Sequence, residues 1–117
     1  MIGGEMDVLL TARHFDLSDS LRDYTERRLR RLHKFNSRLS RLEVTLVEEK
    51  REKRIEARGS IEGDADVYAE ARGEDFRTAL NRATGKLERQ LKRRHARRRE
   101  HQAPRLGQDI PPAPDLG

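Results

Sequence analysis

Arg82, Lys86, Arg89, Arg93 and Arg97 recur at spacings of three and four residues. On a helix they fall within an arc of about 80°. Like charges at such spacings repel, so five cations in one row call for an external answer. Evenly spaced phosphates supply one, and guanidinium groups meet them with forked donors. A second basic run, Arg27, Arg28, Arg30, Arg31 and Lys34, offers the same chemistry. The ordinary alternative is a solvated face whose long stems lie over apolar surface, a role open to Arg94 and Arg98. It fits poorly because acids are scarce beside these bases. Leu21–Arg41 holds eight Lys/Arg and two acids, Arg77–Arg99 holds ten and one, and elsewhere eighteen acids face eight bases. Segregation of this kind builds a field that draws in polyanions, of which nucleic acid is the commonest.

Catalytic readings find little support. With no cysteine there is no thiol nucleophile, disulfide or thiolate metal site. His14, His33, His95 and His101 are scattered, and no two stand in a ligand pair. Glu48, Glu49 and Glu52 read as a solvated turn. No phosphate-binding loop, nucleophile elbow or dinucleotide fingerprint occurs. The expectation is a protein that is not an enzyme and has neither cofactor nor metal. No C2H2 pattern, aromatic RNA-binding strand or GXXG loop appears either, so recognition is expected to read shape and backbone. No apolar run approaches the roughly 20 residues of a membrane span. Met1–Met6 lacks the basic and apolar regions of a signal peptide, and a cytoplasmic setting is expected.

The elements that must carry the basic rows follow from periodicity. Met6 to Arg13 alternates as a strand, with Met6, Val8, Leu10 and Ala12 on one side. Ser18 is a good helix N-cap and Asp19 places an acid in the first turn. Leu21, Thr25, Leu29 and Leu32 then recur at helical spacing, predicting a helix to Phe35, ended by Asn36-Ser37. Arg41–Glu49, Lys53–Glu62 and Asp66–Arg72 alternate as strands joined by tight turns, an antiparallel meander. Gly73-Glu74-Asp75 opens a second helix with an apolar stripe of Phe76, Ala79, Leu80, Ala83, Leu87 and Leu91. Gly85 inside it points to close packing. The fold class is α+β, ordered β-α-β-β-β-α: a four-stranded sheet with two helices packed on one face, as in double-stranded-RNA-binding domains. The domain is expected over residues 6–101, with an N-terminal extension over 1–5. A disordered Pro-rich tail is expected over 102–117.

The sequence also resembles a known family, the ribosome hibernation-promoting factors, also called ribosome-associated inhibitor A or sigma-54 modulation proteins. The resemblance runs from about Val8 to His101. It begins with Thr11-Ala12-Arg13-His14-Phe15 and Leu21-Arg22-Asp23-Tyr24, followed by Arg28-Leu29 and Leu32. It is strongest at Glu74-Asp75-Phe76-Arg77-Thr78-Ala79-Leu80 and at Lys86-Leu87-Glu88-Arg89-Gln90-Leu91. The resemblance implies binding to the small (30S) subunit and the 70S ribosome, in the channel used by messenger RNA and by A- and P-site transfer RNAs. Translation would be blocked by occupancy, with idle ribosomes preserved. Contacts to 16S rRNA would come from Arg22, Arg28, Arg31 and Lys34 on the first helix. On the second they would come from Arg82, Lys86, Arg89, Lys92, Arg93 and Arg97. The family's long form adds a ribosome-dimerising domain, whereas here a Pro-rich stretch follows the second helix. That implies a short form acting as a monomer. Taken without the resemblance, the residues leave open a general structured-RNA or DNA binder, and the family's older, transcription-related name leaves open a regulator that binds an acidic protein.

Overall fold

The computed structural model describes residues 6–102, with side chains through Arg97. The extension expected over 1–5 and, except for Gln102, the tail expected over 102–117 lie outside the described residues, and Gln102 is the last residue of a helix rather than the start of a tail. The elements are β1 (Asp7–Arg13), α1 (Asp19–Arg30), a 3-10 helix (Arg31–Phe35), β2 (Leu39–Glu48), β3 (Lys53–Ile61), β4 (Val67–Gly73) and α2 (Phe76–Gln102). This is the expected β-α-β-β-β-α order, with α2 running one residue past the domain end expected at His101. The sheet is ordered β1-β2-β3-β4. β2, β3 and β4 form the antiparallel meander. β1 pairs in parallel with β2, as α1 crosses between them, so the sheet is mixed.

Alternation along the strands puts one face into the core. Leu42, Val44 and Leu46 of β2 meet Ile55 and Ala57 of β3 and Val67, Ala69 and Ala71 of β4 in a single apolar cluster. Leu29 and Leu32 close it from the first helical segment, and Ala79, Leu80, Ala83, Leu87 and Leu91 close it from α2. Both helices therefore cover the same face. At Gly59 of β3 a Cβ would come within 3.0 Å of Leu39 Cδ1 and Val67 Cγ2, so the strand is kept bare where its neighbours crowd it.

The caps behave as their chemistry dictates. Ser18 Oγ accepts from the Leu21 N–H at 3.2 Å, opening α1. The helix expected to reach Phe35 stays α-helical only to Arg30 and tightens into 3-10 winding beyond it. Tighter winding pairs the last carbonyls over fewer residues, and Asn36 then turns extended to enter β2. For α2 the cap is Asp75, whose Oδ1 accepts from the Thr78 N–H at 2.8 Å. That bond holds the Asp75 carboxyl below its ordinary 3.8. A depressed folded-state pKa stabilises the fold above the unfolded value and loses that contribution as pH falls through the folded one. Asp75→Ala is therefore expected to melt lower than wild type at neutral pH. Thermal melts at decreasing pH should show the gap closing below about pH 3.8.

Gly85 overturns the close-packing expectation. A Cβ there would meet only Arg89 Nη1, at 3.8 Å. The position is open, so the glycine carries its helix-propensity cost with no packing return. Gly85→Ala should stabilise the domain by about 1 kcal/mol. A thermal melt should register this as a rise of roughly 4–8 °C.

Candidate nucleic-acid interface

The two faces of the molecule treat charge differently. On the open face of the sheet, acids and bases answer each other. Arg54 of β3, its side chain 16% exposed, reaches Glu49 at 3.1 Å, Glu70 at 3.8 Å and also Glu56. Arg72 pairs with Glu52 at 3.0 Å and Glu70 at 3.4 Å, and these carboxylates hold its guanidinium more firmly protonated. Arg41 pairs with Glu43 at 2.9 Å, and at the end of the β2–β3 hairpin, in step with the core-facing residues, Lys53 pairs with Glu48 at 3.2 Å. Glu48, Glu49 and Glu52 are thus ion-pair partners of the sheet's bases rather than a merely solvated turn.

The helical face is not neutralised in this way. Arg22 and Arg31 are exposed on the first helical segment, as is Lys34. Arg28 is half-buried and reaches across to α2, donating from Nη2 to Asn81 Oδ1 at 2.6 Å and Thr84 Oγ1 at 3.0 Å. It works as a staple between the helices. Lys34 and Lys92 come from opposite sides of the helix pair and lie 5.2 and 5.0 Å from the centre of the Phe35 ring. The ring's negative face attracts both cations, and Lys92 also pairs with Glu88 at 3.0 Å. Between the helices runs a groove of about 220 Å³ with Arg28, Arg31 and Lys34 on one wall and Thr84, Gly85 and Glu88 on the other.

The predicted row on α2 divides in two. Arg82 Nη1 donates to the Arg72 carbonyl at 2.7 Å and Lys86 Nζ to the Glu70 carbonyl at 2.7 Å. These two lean over β4 and spend a donor on its backbone. Arg94 does likewise at the β3–β4 turn, reaching the Ala65 and Asp66 carbonyls and Asp64. Its side chain is only 19% exposed. The side chain of Arg98 lies outside the described residues. Arg89, Arg93 and Arg97 are exposed and make no hydrogen bond or ion pair to another described residue. They form the unanswered part of the row. The sequence reading missed Gln90, Asn81 and Thr84 as structural partners of this surface. The signal available was a polar group four residues after Lys86 for Gln90 and beside Arg82 for Asn81, with none of that kind for Thr84.

Among the described residues no cluster of three or more His, Asp or Glu could hold a metal ion. None of the described helices is long and apolar enough to cross a membrane. Tyr68, the sheet's aromatic, is 55% exposed.

Fold and surface together define a small α+β protein with one self-neutralised sheet face and one polycationic helical face. The chain belongs to the family described as Sigma 54 modulation protein / S30EA ribosomal protein, whose model matches residues 8–99. It is 33% identical over 106 residues to a ribosome hibernation promoting factor of Azotobacter vinelandii, covering 91% of this chain and 98% of that one. A ribosome hibernation promoting factor of Pseudomonas putida is 32% identical over 88 residues, with 75% and 85% covered. Among solved structures, the Thermus thermophilus Protein Y N-terminal domain superposes with a TM-score of 0.70 at 30% identity, covering 75% of this chain and 98% of its own. A ribosomal subunit interface protein from Coxiella burnetii gives 0.69 at 26% identity, covering 78% and 99%.

Proposed function

We propose that this protein is a ribosome hibernation factor that binds the ribosome in the cytoplasm and inhibits translation by occupancy, without catalysis. Its helical face lies against 16S rRNA in the small-subunit region used by messenger RNA and by A- and P-site transfer RNAs. The observation that carries this is the exposed Arg89, Arg93 and Arg97 on α2, together with the exposed Arg31 and Lys34 on the first helical segment, on a molecule whose other face balances its own charge. The names borne by its relatives supply the ribosomal address. Arg22, Arg31, Lys34, Arg89, Lys92, Arg93 and Arg97 are the leading contacts. Arg28, Arg82 and Lys86 add the donors they do not spend within the domain. The protein acts as a monomer.

Sedimentation through a sucrose gradient with purified small subunits and 70S ribosomes tests the proposal. Co-migration is expected at low salt, weakening as salt rises because phosphate contacts release counterions. Failure to travel with either particle would sink it. The exposed cations carry no base-reading pattern, which favours a second reading, a general structured-RNA binder. Random duplex RNA added in excess separates the two: it should strip a general binder from the ribosome and leave a hibernation factor in place.

A further inference from the structure

β4 is an edge strand of the sheet, and an exposed edge is a template for pairing with another chain. Its outward carbonyls are not open. At residues 72, 70, 68 and 66 they accept from Arg82 Nη1, Lys86 Nζ and Gln90 Nε2 at 2.7 Å each, and from Arg94 Nη2 at 3.3 Å. The outward N–H of Tyr68 donates to Gln90 Oε1 at 3.1 Å, so Gln90 bonds β4 as a second strand would, through one donor and one acceptor. The four side chains stand four residues apart along α2, while the carbonyls stand two apart in the reverse direction, three in β4 and the fourth at Asp66 just before it. Four helical residues rise about 6 Å and two strand residues about 6.6–6.8 Å, so the two repeats stay in register over the whole strand.

We propose that Arg82, Lys86, Gln90 and Arg94 form an edge guard, a row of side chains that occupies the β4 backbone and keeps it from pairing with the β4 of a second copy of this chain. The occupant excluded is a second copy because β4 carries the alternation of an ordinary sheet strand and its antiparallel mate would present the same carbonyls and amides. The guard does not rest on the ribosome-binding reading, although Arg82 and Lys86 would serve both. It assigns to Lys86 and Arg82 a role that the basic row alone does not suggest, and to Gln90 the central one.

The test compares three forms of the full chain by sedimentation velocity over a range of concentrations, with circular dichroism to confirm the fold. Lys86→Ala/Gln90→Ala/Arg94→Ala removes the guard below Arg82 and leaves the apolar stripe of α2 intact. Arg89→Ala/Arg93→Ala removes the same number of cations and leaves the guard in place. At the other edge, one such bond falls just before β1, from Arg30 Nη1 to the Met6 carbonyl. The reading is therefore the difference from wild type. The guardless variant should form a concentration-dependent dimer while the other two forms do not. A folded guardless variant that associates no more than wild type overturns the proposal, and so does equal association of both variants, which would trace to lost charge. If the guardless variant does not fold, Gln90→Ala alone carries the test, since it keeps every cation. Association with the Tyr68 amide still protected from hydrogen exchange supports the guard. A monomer whose Tyr68 amide exchanges faster than in wild type, by about tenfold for one lost hydrogen bond of ordinary strength, overturns it.

Discussion

Arg89→Glu/Arg93→Glu/Arg97→Glu stays at the top of the gradient under conditions in which wild type travels with small subunits. These positions isolate the interface from the fold. All three side chains are exposed and unpaired to any described residue, so their reversal breaks no internal bond, and the β4 guard keeps its donors. A hydrogen bond to a charged group contributes about 1.5–3 kcal/mol. Three lost together, before counting the added repulsion, amount to at least about 4 kcal/mol, or roughly a thousandfold in affinity. The salt dependence should flatten as well, by about 0.7–0.9 in log-log slope for each phosphate contact removed. Circular dichroism and melting should stay close to wild type. Binding retained at full strength would move the interface off α2. Lys86→Glu is left out deliberately, because it would also put a carboxylate against the Glu70 carbonyl that Lys86 Nζ now serves.

The element order was legible because each strand alternates and each helix keeps its apolar stripe, so burial follows the letters almost residue by residue. What local pattern does not carry is which strands become neighbours. Nothing in Met6–Arg13 says that β1 will run parallel to β2, and nothing in α2 says that β4 will lie beside it. That is why the five-cation row looked uniform. Helical angle alone puts Arg82 and Lys86 in the same arc as Arg93, but a strand edge on one flank captures the first two and leaves the third in solvent. The segment Lys86-Leu87-Glu88-Arg89-Gln90-Leu91, on which the family resemblance rests most firmly, shows the same division. Leu87 and Leu91 enter the core, Lys86 and Gln90 hold β4, Glu88 pairs with Lys92, and Arg89 faces out. The acids at Glu48, Glu49 and Glu52 were misread for a related reason. Their partners Lys53, Arg54 and Arg72 become neighbours only through strand pairing.

Leu87→Ala should destabilise the domain by about 3–4 kcal/mol, the middle of the range for emptying a leucine site in a closed core. Leu87 is 0% exposed and stands where α2 crosses the apolar cluster. The cluster is aliphatic and small, and a domain of this size commonly has only about 5–15 kcal/mol in total. Thermal melting should fall by on the order of 15–20 °C, whereas Leu87→Met, which keeps the volume, should cost less than about 1.5 kcal/mol. Binding should weaken too, though no phosphate comes near this side chain, because the core is what lays both basic helices on one side of the sheet. That loss differs in kind from the arginine reversal. A ligand that binds only the folded form restores it by mass action, so cooling or excess small subunits should recover Leu87→Ala and leave Arg89→Glu/Arg93→Glu/Arg97→Glu unbound. If excess subunits rescue both variants equally, the three arginines act through stability and the helical face is not where the affinity resides.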